Sequence, residues 1–263
     1  MTVLRAAVVQ TAPEFGAVAA NVAAALSLVP AACDLAVLPE LGNTGYQFRD
    51  RAELAELAEP VPDGPTCTAL RRHAAASGTT LAAGLAEVDG ERLFNTAVLV
   101  HPDGRVDRYR KVHLFWNEKL IFDPGDLGFP VFAACGTTVG LMICFDWLFP
   151  EAAGTLARRG ARILCHPSNL VLPHCPRVMP LRALENRIFT LTANRVGHEH
   201  RGPEPLRFIG RSVIASPRGE VCASCGPDRV DVAGADLDLD LCDPWLTPRN
   251  HVVRDRRPEF YDV

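Results

Sequence analysis

Lysine is almost missing from this 263-residue chain: of 27 basic residues only Lys111 and Lys119 are lysine, the rest arginine. Arginine is a planar, permanently charged fork, whereas lysine is a compact point charge whose pKa can be tuned. A chain with this bias keeps lysine where a guanidinium does not serve, and both lysines share one nine-residue stretch. A strong net charge is missing too. The formal value of −4 gives no electrostatic case for nucleic acid or an anionic membrane as partner. Long apolar runs are equally scarce. The uncharged stretch Phe15 to Cys33, taken as the membrane candidate, is alanine-rich and broken by Asn21, Ser27 and Pro30. It reads as an amphipathic helix packed on a sheet and not as a membrane span. No signal-peptide layout precedes the first strand pattern after Met1. A disulfide framework is absent as well, since the nine cysteines are odd in number and scattered. They are expected to be free thiols in a reducing cytoplasm. Cys222 and Cys225 form a lone Cys-x-x-Cys pair without a second pair, which chance explains better than a metal or redox site.

What remains is ordinary globular material, 48% hydrophobic and 22% charged, enough for one large α/β domain across residues 1–263. Leu4 to Gln10 and Leu35 to Pro39 read as buried strands, with a helix from Ala17 to Val29 between them. Glu40 directly follows the second strand and precedes a loop with two glycines, Leu41-Gly-Asn-Thr-Gly45-Tyr46. A carboxylate at the carboxyl end of a buried strand is where open α/β sheets place site residues, although a solvated loop glutamate has the same signature. Two helices follow, Arg51 to Glu59 and Pro65 to Ser77. The period then changes to two, giving strands at Thr80 to Glu87, Leu93 to Val100 and Arg105 to His113.

The stretch from Gly140 to Glu151 organises the chain. A strand from Thr138 to Ile143 stops at Cys144, a turn follows, and a helix opens at Pro150 with Glu151 in its first turn. A thiol between a strand end and a helix start is expected in an electropositive setting that lowers its pKa. The plain alternative is a small buried apolar residue, the usual fate of a free cysteine. Beyond it the pattern gives a strand at Ala161 to His166 and a proline-rich loop from Val171 to Pro180. A helix at Leu181 to Arg187, a strand at Phe189 to Asn194, a hairpin of Phe208–Ala215 with Glu220–Ser224, and a strand at Ala235 to Leu241 complete it. The tail from Pro244 is polar and arginine-rich.

Three segments thus each end a strand with a chemically useful group: Glu40 as proton acceptor, Lys111 as a cation for an oxyanion, Cys144 as nucleophile. At these residues the chain resembles the nitrilase superfamily of carbon–nitrogen hydrolases. The matching pieces are Pro39-Glu40-Leu41 with Gly45-Tyr46, Tyr109-Arg-Lys111-Val-His113, and Ile143-Cys144-Phe-Asp146 with Phe149-Pro-Glu151. Pro124-Gly-Asp126, His166-Pro-Ser-Asn169, Arg182-Ala-Leu-Glu-Asn-Arg187 and Asp255-Arg-Arg-Pro-Glu259 also fit.

The resemblance implies an α-β-β-α sandwich that pairs into a homodimer or higher homo-oligomer, partly through the helix after Cys144 and the 244–263 tail. It implies Glu40 as general base, Lys111 as oxyanion cation, Cys144 as attacking thiolate and Glu118 as the glutamate that orients substrate. No metal or organic cofactor is implied. The partners are a small amide-type substrate and water. Strict nitrilases usually carry Trp-Glu after the cysteine, where this chain has Phe145-Asp146. Enzymes of N-carbamoyl amino acids often place arginines where Trp147 and Leu148 stand. A pocket of Tyr46, Trp116, Phe145, Trp147 and the segment from Asn169 favours a small neutral carboxamide, though each aromatic is also plausible core packing. The same triad would serve acyl transfer to another acceptor, and a non-catalytic scaffold of this fold is the remaining alternative.

Overall fold

The computed structural model describes residues 3–202 and 204–261. Two six-stranded sheets lie face to face. The first has the order β14-β1-β2-β3-β4-β5, with β1 Val3–Gln10, β2 Leu35–Val37, β3 Thr80–Asp89, β4 Arg92–Val100, β5 Val106–Arg110 and β14 Asp231–Asp238. The second has the order β13-β12-β9-β8-β7-β6, with β6 Val131–Ala134, β7 Thr137–Leu141, β8 Ile163–Pro167, β9 Phe189–Ala193, β12 Val213–Ala215 and β13 Val221–Ser224. In each, parallel pairs (β1, β2, β3 and β7, β8, β9) form the centre and antiparallel strands the flanks. β14 crosses back to close the first sheet against β1.

The strands are apolar on both faces, as sheets buried from both sides require. Along β1, Leu4, Ala6 and Val8 enter the central core with Val139, Leu141, Ile163 and Leu191 of the other sheet. Ala7 and Val9 point outward into a second core. That outer core is capped by helices α1 (Val18–Ser27) and α3 (Pro65–Ser77) through Ala25, Leu70 and Ala74. On the far side, α5 (Pro150–Arg158) and α6 (Cys175–Asn186) cover the second sheet. The layers therefore run α-β-β-α. The remaining helices, α2 (Arg51–Leu57) and α4 (Glu118–Ile121), lie near one end of the sandwich, and the hairpins β10–β11 (Val196–Glu199, Leu206–Ile209) and β15–β16 (Trp245–Thr247, Asn250–His251) stand apart from the sheets. No described helix is long and apolar enough to cross a membrane.

Two segments differ from the sequence expectation. The proline-rich stretch is no ten-residue loop, because α6 begins at Cys175 and runs through Pro180. Pro176 at the second position lies in the first turn, where its missing N–H costs nothing, and Pro180 near that end forfeits one backbone bond. Burial of Cys175, Met179 and Ala183, spaced four apart, holds the turn in place. The expected strand from Phe208 to Ala215 is two strands in different sheets. Gly210 and Arg211, at φ of 59° and 57°, break it where the chain leaves β11 for β12.

Candidate active site

Glu40, Lys111 and Cys144 meet at one end of the sandwich, each just past the end of a strand. Glu40 follows β2 and is wholly buried. Its backbone sits so close to β3 that a Cβ at Gly84 would lie 2.4 Å from the Glu40 Cα, so only glycine fits there. Lys111 follows β5, and its backbone carbonyl accepts the N–H of Gly125 at 2.9 Å. A Cβ on Gly125 would stand 2.0 Å from the carbonyl oxygen of Arg110, which explains the glycine of the Pro124-Gly-Asp126 motif. Cys144 opens a short 3-10 turn, Cys144–Leu148, after β7. Leu41, Trp116 and Cys144 adopt positive φ of 45°, 48° and 38°, a strained conformation for residues with side chains.

The Lys111 ammonium donates to Glu40 Oε1 at 2.7 Å and to the Glu118 carboxylate at 2.8 Å. Glu118 also accepts the Tyr46 hydroxyl at 2.7 Å and the N–H of Phe115 at 2.9 Å. It is therefore no solvated loop charge. Burial lowers the pKa of an ammonium, yet the charges of Glu118 and Glu40 overcome this and hold Lys111 well above its usual value. Burial drives Glu40 upward, with Lys111 opposing. Tyr46 is held well up by burial and by Glu118.

Cys144 corrects the sequence expectation of a lowered thiol pKa. Cys144 is 5% exposed, and burial, followed by the charge of Glu40, pushes its pKa well up; Lys111 and the backbone N–H of Asn169 oppose this. The helix that was to supply positive potential starts only at Pro150, beyond the intervening turn. Burial and Glu40 thus favour the thiol over the thiolate.

Further residues fix this arrangement. Asp146 is fully buried and accepts the Tyr109 hydroxyl at 2.7 Å, the N–H of Ile143 at 2.8 Å and His113 Nδ1 at 2.7 Å. It pins the turn that presents Cys144 to the strand that carries Lys111. His166 Nε2 lies 2.9 Å from the Cys144 carbonyl, and Nδ1 lies 3.0 Å from the Thr192 hydroxyl. Burial lowers the His166 pKa to about 4, so the ring is neutral and donates to that carbonyl. Asn169 donates from Nδ2 to the Glu40 backbone carbonyl at 2.9 Å, and Asn95 donates to Glu40 Oε1 at 2.7 Å. Glu199, ion-paired with the buried Arg195, accepts the N–H groups of Tyr46 and Gln47 and so holds that loop.

The remaining expected pocket residues separate. Tyr46, Glu118 and Trp116 share a half-enclosed cavity of about 640 Å³ with Phe48, Leu120 and Leu206. Phe145 instead lines a neighbouring 410 Å³ hollow with His113 and Phe149. Trp147 is buried in the central core and reaches neither. Sequence reasoning missed Asn95, Asp146 and Arg195 as supports of the site. An asparagine inside the apolar run Leu93 to Val100 was the available signal for the first.

Residues 5–246 match the family model described as carbon-nitrogen hydrolase. Among curated proteins, a nitrilase from Pyrococcus abyssi is 50% identical over 228 residues, covering 86% of each chain. An (R)-stereoselective amidase from a Pseudomonas species is 36% identical over 239 residues, covering 88% of this chain and 84% of that protein. Among solved structures, an amidase from a Nesterenkonia species superposes with a TM-score of 0.81 at 28% identity, covering 97% of this chain and 94% of the other. A mutant of that amidase has been solved in complex with butyramide.

Proposed function

The chain belongs to the carbon–nitrogen hydrolase family, and from that premise we propose that it hydrolyses small carboxamides to carboxylic acid and ammonia through a thioester on Cys144. The observation that carries this reading is a buried thiol, set on a strained turn, beside a carboxylate–ammonium–carboxylate cluster. Glu40 takes the thiol proton as the sulfur attacks the amide carbon. The developing oxyanion meets Lys111 and the backbone N–H of Phe145. Glu40 returns the proton to the departing ammonia, then deprotonates the water that cleaves the thioester. Glu118 keeps Lys111 charged and anchored through both steps. The likeness to two amidases, one of them solved as a mutant with butyramide, supports the substrate class.

A nitrile substrate is the second reading, favoured by the 50% identity to a nitrilase. The sequence argument against it rested on Phe145-Asp146. Asp146, however, spends its carboxylate on Tyr109, Ile143 and His113, so its identity bears on anchoring the turn and not on substrate contact. Ammonia release from aliphatic and aromatic amides, N-carbamoyl compounds and nitriles, with wild type beside Cys144→Ala, separates the readings. Release from amides by wild type alone is the expected result. Release from nitriles or N-carbamoyl compounds only would replace the amide reading. Silence with a Cys144 that still alkylates would point to acyl transfer to another acceptor. We further propose a homodimer through the exposed apolar residues of α6 and the tail, including Leu181, Leu184 and Phe260; a monomer in analytical ultracentrifugation would refute it.

A further inference from the structure

We propose that Asn95 is a positioning residue that decides which oxygen of Glu40 carries the catalytic proton, an inference that rests on the cysteine-hydrolase reading above. Asn95 lies in the middle of β4, only 1% exposed, among Leu93, Phe94, Ala97 and Val98. A carboxamide in such a place costs stability unless its polar atoms are used. Asn95 bears part of that cost, since its Oδ1 has no partner, and through its Nδ2 and its backbone carbonyl it joins two of the catalytic residues. Its backbone carbonyl accepts the N–H of Lys111 at 2.8 Å, and its Nδ2 donates to Glu40 Oε1 at 2.7 Å.

The Lys111 ammonium donates to that same Oε1, also at 2.7 Å. One oxygen of Glu40 thus receives two donors. The other, Oε2, is buried and has no hydrogen-bond partner. Two donors stabilise negative charge on Oε1 and occupy its lone pairs, so a proton goes to Oε2. That is the oxygen free to accept from the thiol and from water. With Lys111 alone, the carboxylate would be held at a single point. Its terminal torsion is broad and roughly two-fold, so either oxygen could then turn toward the sulfur. The Asn95 bond also favours the ionised form of Glu40. Its loss makes the carboxylate hold its proton to higher pH, so less base is available on the acid side.

Asn95→Ser and Asn95→Leu test this. The serine hydroxyl ends about one bond short of the Nδ2 position, and leucine keeps the volume with no donor. Two profiles are measured against pH: kcat/KM on the best amide, and alkylation of Cys144 by iodoacetamide. In both variants the acid limb of each profile is expected to move up by about one pH unit. The kcat should fall about 10- to 100-fold with a smaller change in KM. Alkylation needs only the thiol and its proton acceptor. A limb that moves there, while no amide is turned over, upholds the role of Asn95 and removes the amide reading. If leucine prevents folding, the serine variant carries the same reading. A uniform loss at every pH with both limbs fixed would reduce Asn95 to a packing residue and overturn the proposal.

Discussion

Arg110 and Lys111 are neighbours in the chain, yet they anchor two buried ion clusters built on opposite principles. Successive side chains of a strand point to opposite faces, so each enters its own environment. Arg110 spans both oxygens of the fully buried Glu87, at 2.6 Å and 3.1 Å, and lies over the Phe94 ring. Glu87 also accepts from Arg108 and the Thr96 hydroxyl, so both of its oxygens are engaged. Arg110 reaches outward as well, to Asp89 and Asp126 at the surface. In the Lys111 cluster Glu40 has one oxygen saturated and the other unpartnered, with a strained cysteine nearby. A cluster that only holds the fold satisfies its carboxylate completely. The cluster for which we propose proton transfer leaves one acceptor open. The cations fit this division, since the planar fork suits a two-oxygen clamp and the point charge suits a developing oxyanion.

Substitutions can break this contrast. The largest effect on turnover is expected from Cys144→Ala, which should remove about 10⁴-fold or more of the ammonia release while leaving the melting temperature unchanged. Lys111→Met should abolish turnover too, but it also strands two buried carboxylates. A destabilisation of about 3–5 kcal/mol is expected in urea unfolding. Arg110→Met should cost less, about 1–3 kcal/mol, because Glu87 keeps Arg108 and the Thr96 hydroxyl as partners. Unlike Lys111→Met, it should leave the kcat/KM of the folded fraction and its pH profile intact. A shifted profile in Arg110→Met would mean the two clusters are electrostatically one.

A smaller effect uses pH. His166 is neutral in the fold with a pKa near 4, against an ordinary value of 6.5. Because its folded pKa is depressed, the unfolded chain binds the proton first as pH falls. The stability tied to His166 is complete above about pH 6.5 and is lost toward pH 4, by about 3 kcal/mol in total. Unfolding of wild type and His166→Gln across that window should show a slope in the first and a flatter line in the second. Equal slopes would mean the ring is not held neutral. The smallest effect is expected at the exposed Arg49, whose partner Glu53 also holds Arg201; Arg49→Ala should change stability by less than about 0.5 kcal/mol.

The sequence determined much of this by itself. Short apolar runs, a period of two between Thr80 and His113, and the breaks between them marked most strands, because strands buried on both faces are apolar at every position. The scarcity of lysine singled out Lys111 before any coordinates, and the strand-end positions of Glu40 and Cys144 were legible for the same local reason. Of α6 the part from Leu181 onward was legible too, but its first turns were not, since three prolines outweighed a four-residue spacing whose value depends on the sheet beneath it. Only the tertiary structure decided the electrostatics and the wiring. Cys144 carries a raised pKa because burial and Glu40, brought beside it by the fold, outweigh Lys111. Asn95 touches Glu40 across 55 positions of chain, and Glu118 meets Tyr46 across 72. Trp147 lies in the core because the turn after Cys144 is a 3-10 helix. Propensity and period act over a few residues, whereas desolvation and hydrogen-bond partnership depend on what the folded chain places within a few ångströms.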